Sequence, residues 1–112
     1  MSSSQIERKL AAIMFTDIAG YTALSAKDST KASKLLTTQR DTLKPIVEKH
    51  GGSWMKEIGD GLLLTFDSAT SAVECSIAIQ VAIKDIEDLN LRIGIHEGEV
   101  IKQDGDVIGD DV

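Results

Sequence analysis

Leu10-Ala11-Ala12-Ile13-Met14-Phe15-Thr16-Asp17 is continuously apolar until its last two residues. Such a run, with no polar residue at every second position, fits a central β-strand covered on both faces. Asp17 then sits where that strand emerges from the sheet. The mostly polar residues 1–9 before it are expected to be a flexible tail, leaving residues 10–112 as one domain. After a turn at Gly20, Ala32, Leu35, Leu36, Leu43, Ile46 and Val47 recur at helical spacing until Gly51-Gly52 stops them. Pro45 falls inside that pattern, where it removes a backbone donor, so a kink or break is expected just before it.

Ser53 to Ile58 and Leu62 to Phe66 are extended runs joined by Gly59-Asp60-Gly61, a turn that makes a hairpin with an aspartate at its tip. Asp67-Ser68 caps a further helix, whose Ala72, Val73, Ile77 and Val81, with Ile79, Ile83 and Ile86, are expected to lie against the sheet. Leu91, Ile93 and Ile95 alternate with Arg92, Gly94 and His96 as a strand, with a turn expected at Glu97-Gly98 and Val100-Ile101 continuing the sheet. The order β-α-β-β-α-β is an α+β, ferredoxin-like arrangement. Its first and third strands are central neighbours, so Asp17 and Asp60 should meet.

At 112 residues with 42% hydrophobic and 27% charged residues, the chain has the size and composition of one soluble domain. It holds no apolar stretch long enough to cross a bilayer and no secretory signal pattern, which reads as cytoplasmic. A net charge of −6, with Lys and Arg scattered singly, argues against nucleic acid as a partner. The single cysteine, Cys75, reads as a small buried hydrophobe. His50, at a helix end, reads as a partner of the last carbonyls.

Two carboxylates converging from a strand end and a hairpin tip form a hard-oxygen site suited to magnesium or manganese, the ions of phosphoryl chemistry. Ile18-Ala19-Gly20-Tyr21-Thr22, at a helix start, offers backbone donors for phosphate. The bland alternative makes Asp17 and Asp60 ordinary turn residues.

Phe15-Thr16-Asp17-Ile18-Ala19-Gly20-Tyr21-Thr22 resembles the opening motif of class III adenylyl and guanylyl cyclases. Lys56-Glu57-Ile58-Gly59-Asp60-Gly61 resembles their second motif, Arg92-Ile93-Gly94-Ile95-His96-Glu97-Gly98 their third, and Asp106-Val107-Ile108-Gly109-Asp110-Asp111-Val112 the beginning of their fourth. The resemblance implies an adenylate cyclase that converts ATP to 3′,5′-cyclic AMP and pyrophosphate. It implies two magnesium or manganese ions per site, held by Asp17, Asp60 and the Ile18 carbonyl, with Asp17 and Asp60 catalytic. Phosphates would rest on Ala19, Gly20, Tyr21 and Thr22. Lys56 and Asp106 would read the base, a pair that suits adenine and disfavours GTP. It further implies a homodimer with active sites shared between two copies, and leaves room for a fused sensor domain outside this stretch.

The family's fourth motif continues with an asparagine and an arginine that stabilise the transition state, and with further helix and strands, whereas this chain ends at Val112. Little or no turnover is therefore expected of the chain as it stands, together with an exposed edge and apolar face. Two other readings stay open: a catalytically silent, cyclase-like regulatory or nucleotide-binding module, and a bare ferredoxin-like interaction domain.

Overall fold

A computed structural model describes residues 6–103 and 106–109, with side chains described for residues 10–99. Its elements run β1 (Ile6–Ile18), α1 (Tyr21–Lys27), α2 (Ser29–Lys49), β2 (Ser53–Ile58), β3 (Gly61–Phe66), α3 (Ala69–Ile83), β4 (Leu91–Gln103) and β5 (Asp106–Gly109). The strands form one antiparallel sheet in the order β2-β3-β1-β4-β5. This is the expected ferredoxin-like core, with β1 and β3 adjacent and β5 added beyond β4.

Alternation along β1 divides the molecule. Ala12, Met14 and Ile18 join Leu43 and Val47 of α2 and Cys75, Ile79 and Ile83 of α3 in the main core. The intervening Ala11 and Ile13 form a small separate cluster with Leu63. One sheet face therefore carries the helices, and the other is open. Burial pushes the Cys75 thiol up to about 11, as an inert core residue requires.

Several boundaries differ from the sequence reading. β1 begins at Ile6 and pairs with β4 from there onward, so residues 6–9 belong to the sheet rather than to a tail. β4 runs unbroken through Glu97-Gly98, because Gly98 stays in register opposite Ala11 and the longer β1 keeps supplying partners. The helical region breaks at Asp28 and not before Pro45. Asp28 leaves helical geometry and its carboxylate accepts the Lys31 N–H at 3.0 Å, capping α2. Pro45 stays inside α2. It is exposed, and buried Leu43 and Val47 pin the helix on either side. At its end, His50 lies with Nδ1 2.9 Å from the Ile46 carbonyl oxygen.

On α3, Ser68 caps as expected, but the face that packs is Ala72, Cys75, Ile79 and Ile83. Val73, Ile77 and Val81 are instead 46%, 59% and 67% exposed. An apolar residue every four positions marks a helix face, and α3 has two such faces, of which the sheet covers one.

Replacing Pro45 with Ala restores a helical hydrogen bond at an exposed position, so Pro45→Ala is expected to stabilise the chain by about 1–3 kcal/mol in urea unfolding. A lower midpoint would contradict the account of α2.

A candidate metal and nucleotide site at the end of the central strand

Antiparallel pairing sets Thr16 opposite Leu62, which brings the β2–β3 turn beside the end of β1. Gly59 in that turn has φ +60, a conformation that favours glycine. The neighbouring Asp60 reaches across 42 positions of sequence, and its Oδ2 accepts the backbone N–H of Ile18 at 2.8 Å. The hairpin tip is thereby tied to the residue after Asp17, the juxtaposition expected from strand order.

Asp17 stands opposite Arg92 on the open face, and Arg92 Nε donates to Asp17 Oδ1 at 2.6 Å. Sequence reasoning missed this pair. The signal was present in the alternation of β4, which puts Arg92 on the face of Asp17, but its partner depends on the β1–β4 register. The hydrogen bond to Asp17, its charge, and more weakly the charge of Asp60 hold the Arg92 guanidinium still more firmly protonated than usual. Both side chains of the pair are substantially exposed. Such an exposed pair contributes little, so an incoming cation can displace it.

Among the described residues no group of three or more His, Cys, Asp or Glu gathers to hold a metal. The donor set is two carboxylates plus backbone oxygen, which fits magnesium or manganese, ions that take one or two carboxylates and complete their shells with water and phosphate. A cleft of about 330 Å³ adjoins it, lined by Phe15, Thr16, Asp17, Arg92, Ile93 and Gly94.

The expected phosphate segment is only partly available. The Ala19 N–H donates to the Asn90 carbonyl at 2.8 Å, which removes it from the set. Gly20, at φ +78, is the N-terminal cap of α1, with no side chain capping the helix. The amides of Gly20, Tyr21 and Thr22 therefore stand at a helix start, where N–H groups have no intrahelical partner. Lys56 is exposed on β2 opposite Leu63, on the open face. Asp106 opens β5 opposite Gln103, and its side chain lies outside the described residues. β2 and β5 are opposite edges of the sheet, about 19 Å apart at roughly 4.8 Å per strand. The structure thus brings together Asp17, Ile18, Asp60 and Arg92, while Lys56 and Asp106 belong to opposite edge strands.

The sequence profile of the adenylate and guanylate cyclase catalytic domain matches residues 4–111. The chain belongs to this family. The cyclase domain is 37% identical over its whole length to the "Putative adenylate cyclase 3" of Rhizobium meliloti (strain 1021), of which it spans 20%. It superposes with a TM-score of 0.80 and 35% identity on the crystal structure of an adenylate/guanylate cyclase/hydrolase from Silicibacter pomeroyi, covering 94% of this chain and 66% of that one. With the catalytic core of a rhodopsin-guanylyl cyclase of converted specificity, in complex with ATPαS, the TM-score is 0.84 at 25% identity, over 94% of this chain and 68% of the other. No described helix is long and apolar enough to cross a membrane.

Were Asp17 to hold a cation, Arg92 would compete for the same carboxylate, so Arg92→Met is expected to tighten manganese binding by about fivefold without nucleotide, measured calorimetrically. Asp17→Asn should weaken it strongly. Unchanged or weaker binding in Arg92→Met would show that the pair is not the competitor.

Proposed function

We propose that this domain converts ATP, in preference to GTP, into 3′,5′-cyclic AMP and pyrophosphate at sites shared between two copies in the cytoplasm. The observation that carries this reading is the tie between Asp60 and the Ile18 amide, which sets the Asp60 carboxylate beside the residue after Asp17 at the end of the central strand. Two magnesium or manganese ions per site, when bound, would supply activation of the ribose 3′-hydroxyl and neutralise the departing pyrophosphate.

The chain's own residues have separable parts in this scheme. Asp17, Asp60 and the Ile18 carbonyl supply the hard oxygens that would hold the ions. The amides of Gly20, Tyr21 and Thr22 hold phosphate oxygens without a basic side chain. Arg92, released from Asp17, adds positive charge beside the same oxygens. In the reaction the 3′-oxygen forms a bond to the α-phosphorus as its proton leaves, and the bond to the bridging oxygen breaks, pyrophosphate departing with the electron pair.

Base choice rests first on Lys56, whose ammonium is a donor suited to the N1 acceptor of adenine and mismatched to the protonated N1 of guanine. Asp106 as its acceptor partner is carried by the family resemblance alone. Because Lys56 and Asp17 lie on the same open face, two copies packed by those faces would present the metal-binding set of one chain to Lys56 of the other, forming a homodimer with two equivalent sites.

A second reading, a cyclase-like module that binds nucleotide without turnover, draws on the Arg92–Asp17 pair, which engages one of the carboxylates. Mass spectrometry of products separates the two. The chain, and a chimera in which the last third of the Silicibacter pomeroyi domain follows Val112, are incubated with manganese and ATP or GTP. Cyclic AMP in excess of cyclic GMP is expected from the chimera and is lost in Asp17→Ala. Nucleotide binding with no cyclic product from either protein would favour the silent module.

A further inference from the structure

Strand β2 departs from simple alternation. Trp54 stands opposite Leu64, but Lys56 rather than Met55 stands opposite Leu63, and Glu57 opposite Leu62. Met55 is thus an extra residue in the ladder, and a β-bulge of this kind reverses the facing of every residue beyond it. In an unbulged pairing Lys56 would oppose Leu62, a member of the main core, and would point toward the helices. With the bulge it opposes Leu63, which lies with Ala11 and Ile13 on the open face.

A clamp on the helix-bearing face goes with this register. Trp54 Nε1 donates to Glu57 Oε2 at 3.0 Å. Residues three apart in a regular strand point to opposite faces, so this bond requires the bulge. Arg40 of α2 closes onto the same carboxylate with two bonds, Nε to Oε2 at 2.8 Å and Nη2 to Oε1 at 2.7 Å. This fork geometry fixes orientation as well as distance. One helical turn further, the Lys44 ammonium lies 5.7 Å from the centre of the Trp54 ring. The Arg40 hydrogen bond, chiefly, holds the Glu57 carboxyl down to about 2, so the clamp stays charged at any ordinary pH.

We propose that Arg40 and Glu57 are positioning residues for base selection: by clamping Trp54 and the bulge they lock the register of β2 that presents Lys56 to the open face. The proposal rests on the reading of Lys56 as the residue that contacts the base. A single partly exposed ion pair adds little to global stability. On an edge strand with one neighbour, however, two registers compete locally, and a small contribution decides between them. Neither residue needs to touch the nucleotide.

Cross-strand nuclear Overhauser contacts in this chain read the register directly. The parent is expected to show Lys56 opposite Leu63, whereas Arg40→Met and Glu57→Gln show a second population with Lys56 opposite Leu62. In manganese-supported binding, the preference for ATP over GTP falls by about fivefold in both variants. Manganese affinity without nucleotide stays unchanged in both variants. A clamp that merely stabilises would lower the unfolding midpoint and leave both readouts alone, which overturns the proposal.

Deleting Met55 leaves Lys56 opposite Leu63 with no bulge to lock, so Arg40→Met in that background should no longer alter the preference. A continued loss there would also overturn it. Lys56→Ala separates the two levels of the argument. If it leaves the ATP preference intact, the proposal falls together with the base-reading assignment. If it abolishes the preference while the clamp variants do not, the proposal alone falls.

Discussion

The antiparallel pairing of β1 with both β3 and β4 is the constraint on which the rest depends. One strand, apolar on both sides, gives its even-numbered residues to the helix-covered core and its odd-numbered ones to the open face. Pairing with β3 delivers the hairpin tip to the strand's end, where Asp60 takes the Ile18 amide. Pairing with β4 delivers Arg92 to Asp17. A one-residue slip in either ladder would turn the delivered side chains to the wrong face.

The charge pattern at the strand end follows from that geometry. Two carboxylates near one another repel, and in this structure the repulsion is offset by one backbone N–H and one guanidinium. The ion pair is exposed and modest, of the kind a divalent cation outcompetes, whereas the backbone bond is part-buried. The backbone bond and the ion pair each engage one named oxygen of their carboxylate, Oδ2 of Asp60 and Oδ1 of Asp17. These two contacts hold the candidate site's carboxylates in place, and such preorganisation reduces the ordering cost of binding.

Much of this was legible in the sequence because it rests on strong local signals. The apolar run before Asp17, the glycines around Asp60 and the strict alternation from Leu91 to Ile95 each specify an element, and strand order then brings the two aspartates together. What escaped depends on partners distant in sequence. The break at Asp28 depended on one side-chain cap within a continuous helical pattern. The persistence of β4 through Gly98 depended on how far β1 extends. Both faces of α3 are apolar, so periodicity alone did not say which one packs. The bulge at Met55 has no local signature, since Ser53 to Ile58 reads as an ordinary strand until Trp54 and Glu57 are seen on one face. Ala19 was assigned to phosphate by position, and lost that role because the Asn90 carbonyl occupies its amide.

The central claim, that the end of β1 and the β2–β3 turn form one cation site, is tested most directly by titrating manganese into isotope-labelled protein and recording which amide signals its paramagnetism broadens. The account predicts broadening confined first to Asp17, Ile18, Ala19, Asp60 and Arg92, and its disappearance when Asp17 and Asp60 are both replaced by alanine. Broadening centred elsewhere, or persisting undiminished in the double variant, would contradict it.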